Sequence, residues 1–126
     1  MLGGAPVIAF VPSLDLSRSG AFYADVLGLT LEEVTPYACV LRGGSTMLRV
    51  TKVGSLRPQS FTVLGWQVDD IHAVAARLAA AGVDLVRHEG MDQDSAGVWT
   101  TPGGDRVAWF HDPDGNVLSM TQFASR

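Results

Sequence analysis

Cysteine is nearly missing: one residue, Cys39, in a chain of 126. No internal disulfide can form, and a reducing cytoplasm is the expected location. Lysine is as scarce, with Lys52 alone beside eight scattered arginines, and the net charge is −4. A nucleic-acid partner is not expected, because phosphate binding wants clustered cations. No apolar run approaches the ~20 residues of a membrane span. No basic, apolar leader is readable, so no secretory signal is expected. Charged residues are only 17% and hydrophobic ones reach 47%, which excludes a disordered chain. The length suits one domain able to bury its own core without disulfides or a structural metal.

The apolar run Val7–Val11, set between Pro6 and Pro12, reads as a buried strand. Asp15 stands where a helix N-cap belongs, and Leu16–Leu27 reads as a helix stopped by Gly28. Leu29–Val34, Tyr37–Arg42 and Thr46–Lys52 follow as strands, punctuated by Pro36 and Gly43-Gly44. Residues 53–60 read as a linker. Phe61–Val68 is the next strand. Asp69 or Asp70 caps a second helix, in which Ile71, Val74, Ala75, Leu78 and Ala79 form one apolar face and Gly82 ends the run. Val83–Arg87, Asp105–His111 and Asn116–Gln122 read as strands, with Asp112–Asn116 as a tight turn and Val98–Thr101 as a further hairpin arm.

The order strand, helix, strand, strand, strand therefore occurs twice. The capping aspartates, Asp15 and Asp70, are 55 residues apart, and Gly28 and Gly82 are 54 apart. This self-similarity predicts a duplicated βαβββ module, 1–52 and 61–126. The expected fold class is α+β: two modules forming a curved eight-stranded mixed sheet, with helices outside and a concave cleft.

The stretch Val11–Tyr23 with Val26-Leu27-Gly28-Leu29, then Gly65–Asp70 and Trp109–Leu118 with its Asp-Pro-Asp-Gly-Asn turn, resembles the vicinal oxygen chelate superfamily. This is the glyoxalase, bleomycin-resistance and extradiol-dioxygenase group. The turn identifies fold better than function. Enzymes of the group hold a divalent metal with His, Glu or Gln side chains. The matching positions are the residues seven before each capping aspartate, one in the fourth strand, and one four residues past the Asp-Pro-Asp-Gly turn. Here they hold Ile8, Val63, Arg49 and Ser119. None is an imidazole or carboxylate, so no metal and no cofactor are expected. His72 and His88 are expected at the surface, and His111 at the cleft rim. Cys39 is expected as a small buried hydrophobe rather than a nucleophile.

Strand alternation, anchored on the resemblance, points Ile8 and Phe10, Met47, Arg49 and Thr51, Val63 and Gly65, Val107, Trp109 and His111, and Val117, Ser119 and Thr121 to the cleft. Trp66 then points under the second helix, and Trp99 lies at the mouth or at a dimer contact. The candidate ligand-binding residues are Phe10, Met47, Arg49, Trp109, His111 and Ser119. Arg49 can serve as a ligand contact for an acidic group, as half of a structural ion pair, or be exposed. A mostly buried Arg49 within reach of Trp109 or Ser119 is expected.

The resemblance implies a metal-free homodimer binding a small planar, aromatic or acidic metabolite or antibiotic. The alternative is an enzyme of the same superfamily, lactoylglutathione-lyase-like or dioxygenase-like, or a cofactor-independent one using Arg49 as electrophile with Ser119 or His111 moving a proton. A dimeric scaffold without a small ligand is the third reading.

Overall fold

A computed structural model describes residues 1–125. The chain divides into two compact units, 1–57 and 58–126, with the boundary inside the expected linker. Among the described residues eight strands are hydrogen-bonded as two separate four-stranded mixed sheets.

In the first unit β1 (Ile8–Ser13) is followed by α1 (Leu16–Ala21), a π-helical turn (Phe22–Val26), β2 (Thr30–Val34), β3 (Ala38–Gly43) and β4 (Thr46–Lys52). The sheet order is β1-β4-β3-β2, with β1 parallel to β4 and the other pairs antiparallel. Asp15 caps α1 as expected: its carboxylate accepts from the Arg18 N–H at 3.1 Å. The single helix expected over Leu16–Leu27 is instead a short α-helix that widens into the π turn. Tyr23, fully buried, sits in that turn. Gly28 then takes φ 79°, which allows the Leu29 N–H to bond back to the Tyr23 carbonyl at 3.0 Å.

The helix covers one face of the sheet. Val11, Cys39, Leu41, Leu48 and Val50 are buried on it, and the Ser13 and Ser19 hydroxyls share a buried 2.7 Å hydrogen bond between β1 and α1. Alternation puts Ile8, Phe10, Met47, Arg49 and Thr51 on the opposite face, which the helix leaves uncovered.

The second unit repeats the plan. β5 (Thr62–Gln67), α2 (Ile71–Ala80), β6 (Trp99–Thr100), β7 (Arg106–His111) and β8 (Val117–Gln122) give the sheet order β5-β8-β7-β6. Asp70 is the cap, accepting from the Ala73 N–H at 3.1 Å. Ile71, Ala75 and Leu78 are the buried residues of α2, which packs on β7 and β8 over Ala108, Phe110, Leu118 and Met120. Trp66 lies on this side, stacked on Phe110 at 6.2 Å. The turn before β8 is held by a buried Asp112, whose carboxylate accepts from the Asp114 and Asn116 N–H groups and from the Asn116 side chain.

One strand is misplaced in the sequence reading. Val83–Arg87 forms no strand. It touches the sheet through one bond, from the Val86 N–H to the Trp109 carbonyl at 2.7 Å. The edge position beside β7 belongs to Trp99–Thr100.

Candidate functional site

The two sheets present different chemistry on their helix-free faces. On the first, Arg49 occupies the middle of β4, between Phe10 on β1 and Val40 on β3. Met47 lies beside Ile8 one pleat away. Phe10 is 60% exposed and Met47 partly buried. Arg49 is partly buried. No hydrogen bond or ion pair from its guanidinium to the described residues is present, whereas Arg42 on the same sheet pairs with Glu32 at 3.1 Å. A structural ion pair is therefore not what holds Arg49. An unpaired guanidinium keeps its five donors for oxygens from elsewhere.

On the second sheet Trp109 occupies the middle of β7, opposite Ser119 on β8 and one pleat from Val107, which faces Trp99 on β6. The Trp99 and Trp109 rings stack, with centroids 6.3 Å apart and planes 29° from parallel. Both are partly buried. Ser119 is accommodated by Gly65 on β5: a Cβ there would stand 3.1 Å from the Ser119 Oγ. His111 ends β7 in an exposed position. Thus Phe10, Met47 and Arg49 gather on one face, and Trp109, His111 and Ser119 on the other.

His88 departs from expectation. It is partly buried. Its imidazole stands perpendicular to Trp109, with centroids 4.8 Å apart. Its Nε2 is buried and has no hydrogen-bond partner among the described residues. Such an orphaned nitrogen costs about 1–3 kcal/mol. The segment is fixed from behind by side-chain bonds. The Gln93 carbonyl oxygen accepts from the His88 N–H at 2.7 Å, and the Gln93 amide donates to the Val86 and Gly97 carbonyls. Arg87 donates to the Asp94 and Ser95 carbonyls, both at 2.7 Å. The one weak signal for His88 in the sequence was its place at the end of an apolar run.

The other titratable groups lie elsewhere. His72 is on the outer surface of α2, 2.7 Å from the Asp94 carboxylate. Burial pushes the Asp94 carboxyl up, but hydrogen bonds from His72 and from the Val98 and Ala96 N–H groups outweigh it and leave the pKa below its usual value. A groove of about 490 Å³ runs beside this pair, floored by Ala75, Ala76 and Ala79. Cys39 is on the helix side, 2% exposed, and burial pushes its thiol up. It is built as a packing residue, not a nucleophile.

The superfamily's metal does not fit these residues. Ile8, Val63, Arg49 and Ser119 offer it no imidazole or carboxylate. Among the described residues no three of His, Cys, Asp and Glu gather where they could hold an ion.

Comparison with known proteins gives a family model, the Glyoxalase/Bleomycin resistance protein/Dioxygenase superfamily, matching residues 7–120. Among solved structures, TnmS3, an antibiotic binding protein from Streptomyces sp. CB03234, is 27% identical, with TM-score 0.75 over 98% of this chain and 99% of that one. A lactoylglutathione lyase from Agrobacterium tumefaciens is 19% identical, with TM-score 0.75 over 94% and 93%. TioX from Micromonospora sp. ML1 is 20% identical, with TM-score 0.73 over 96% and 100%. Among curated proteins no match is found.

Proposed function

The chain belongs to the Glyoxalase/Bleomycin resistance protein/Dioxygenase superfamily, and from that premise we propose that it is a metal-free member that binds a small planar, aromatic or acidic molecule. The observation that carries this reading is the stacked pair Trp99 and Trp109 on a sheet face that its own helix leaves uncovered. Indoles in that position offer a flat apolar surface and an N–H donor. In the first unit, taken by itself, the unpaired Arg49 suits an acidic ligand group, since a guanidinium binds carboxylate or phenolate oxygens with paired donors. The likeness to an antibiotic binding protein at 27% identity supports a sequestering role over catalysis.

The reading includes a homodimer in the cytoplasm. Val7, just before the edge strand β1, and Phe10 within it, 74% and 60% exposed, support the first. The single free cysteine suits the second. No described helix is long and apolar enough to cross a membrane.

The test is calorimetric titration of the purified protein with 2-naphthoate, a flat aromatic acid, together with elemental analysis and native mass spectrometry. Saturable binding that quenches tryptophan fluorescence, without stoichiometric metal, is expected. A stoichiometric transition metal whose removal abolishes an activity would overturn the reading in favour of an enzyme.

A further inference from the structure

Resting on that reading, and on the second unit alone, we propose that Gly65 is a specificity-determining residue. It carries no side chain so that the Ser119 hydroxyl stays open on the helix-free face, and the ligand group it admits there is a neutral hydroxyl. Gly65, Ser119 and Trp109 form one row across β5, β8 and β7. The backbone does not require glycine in this row: Gly65 is not among the glycines held at positive φ. Glycine weakens a strand interior, and where it persists it marks a close approach. A Cβ at Gly65 would stand 3.1 Å from the Ser119 Oγ, so any larger side chain would crowd that hydroxyl. Gly20 is the contrast. A Cβ there would meet the Cys39 Sγ, also at 3.1 Å, but both residues are buried and packing explains the glycine. Gly65 is exposed, and the atom it spares is polar.

The Ser119 hydroxyl makes no hydrogen bond to a described residue, whereas the Ser13 and Ser19 hydroxyls bond each other. It is also reachable. Among the described residues that are partly or fully buried, the one unpartnered side-chain polar atom closed to solvent is His88 Nε2, so the partly buried Ser119 keeps its Oγ open. The next row is Gln67, Thr121 and Val107. Two residues along each strand from Gly65 and Ser119, Gln67 and Thr121 share their face. They add an amide and a second hydroxyl without hydrogen bonds to described residues. Neither row holds an ionisable side chain. A charged ligand group would give up water there without meeting a counter-charge. A neutral hydroxyl both donates and accepts, and so do the side chains of Ser119, Thr121 and Gln67.

The experiment compares 2-naphthoate with 6-hydroxy-2-naphthoate by calorimetry on the full chain; the carboxylate is common to both and cancels in the ratio of affinities. The natural protein should prefer the hydroxylated probe about five- to tenfold, as one neutral hydrogen bond provides. Ser119→Ala removes the hydroxyl, and Gly65→Val, a residue that strands favour, covers it. Each should bring the preference to about one, and the smaller Gly65→Ala should lower it in part. Combining Ser119→Ala with Gly65→Val should lower it no further, because both changes act on one group. Differential scanning fluorimetry separates access from packing. A glycine kept merely to seat Ser119 would make Gly65→Ala lower the Tm and Ser119→Ala restore it, with the preference unchanged, and that pattern would overturn the proposal. Equal affinity for the two probes in the natural protein, or an undiminished preference in Ser119→Ala, would overturn it while leaving the binding function intact. Binding of neither probe would overturn the function as well.

Discussion

Replacing Arg49 by Met separates a ligand-holding arginine from a structural one. Breaking a buried ion pair by removing one partner costs about 3–5 kcal/mol, because the other charge is stranded. Arg49 has no carboxylate partner among the described residues, so no charge is stranded. Methionine retains an unbranched apolar stem between Phe10 and Val40, the neighbours across β1 and β3. The remaining terms are the packing of the stem and the relief of a partly desolvated cation, which oppose each other. The net change should stay within about 1 kcal/mol, or about 4 °C in Tm for a domain of this size. The ligand side should respond strongly. Hydrogen bonds to a charged group contribute about 1.5–3 kcal/mol, so affinity for 2-naphthoate should fall about ten- to hundredfold. Affinity for the neutral 2-naphthol should hold. Differential scanning fluorimetry and calorimetry read the two halves. A Tm loss of about 8 °C or more would show that Arg49 is part of the scaffold and refute the reasoning.

Leu78, 5% exposed at the centre of the buried face of α2, should cost about 2–5 kcal/mol on truncation to Ala, because the cavity over β7 and β8 cannot close; chemical denaturation checks it, and an unmoved midpoint would mean that α2 does not pack as described. The Asp94 contact should respond to acid. Its pKa is lowered in the folded chain, so its stabilisation is present above the unfolded value of about 3.9 and is lost as pH falls through the folded value. At 45% side-chain exposure the global effect is small. The readout is therefore local: hydrogen exchange at the Ala96 and Val98 amides, which donate to Asp94, should accelerate below about pH 4 beyond the intrinsic rate.

Much of the fold was legible because it is encoded locally. Asp15 and Asp70 adopt nearly the same backbone angles, φ −145° and −139°, and each accepts from the N–H three residues on. Spacing and residue type suffice for that inference. The period-2 alternation of β4 likewise put Leu48 and Val50 in the core and Met47, Arg49 and Thr51 on the other face. The π turn was not legible, because nothing in Phe22–Val26 distinguishes it from α-helix; burial of Tyr23 is a tertiary fact. The segment 83–98 failed for a related reason. Its apolar run looks like a strand, but its backbone is satisfied by the side chains of Gln93, Arg87 and Asp94. Those partners are identifiable only after folding, and His88 was lost to view with them.

The duplication itself gives the candidate residues a common origin in the architecture. β4 and β8 hold the same place in their sheets, each flanked by a parallel strand on one side and an antiparallel strand on the other. At the middle of β4 stands Arg49, between Phe10 and Val40; at the middle of β8 stands Ser119, between Gly65 and Trp109. The bulky aromatic is on the parallel neighbour in the first unit and on the antiparallel neighbour in the second. Where the first unit is filled by Phe10, the second is opened by Gly65, and Ser119 Oγ occupies the room. The same backbone position has thus taken a fixed cation in one copy and a small hydroxyl beside an indole in the other. Core packing does not require that difference, since both side chains face away from the buried sides of their sheets. Positions released from packing and yet differentiated in charge and shape are where a binding protein sets its selectivity, and under the proposed function they are Arg49 in one unit and Trp109 in the other.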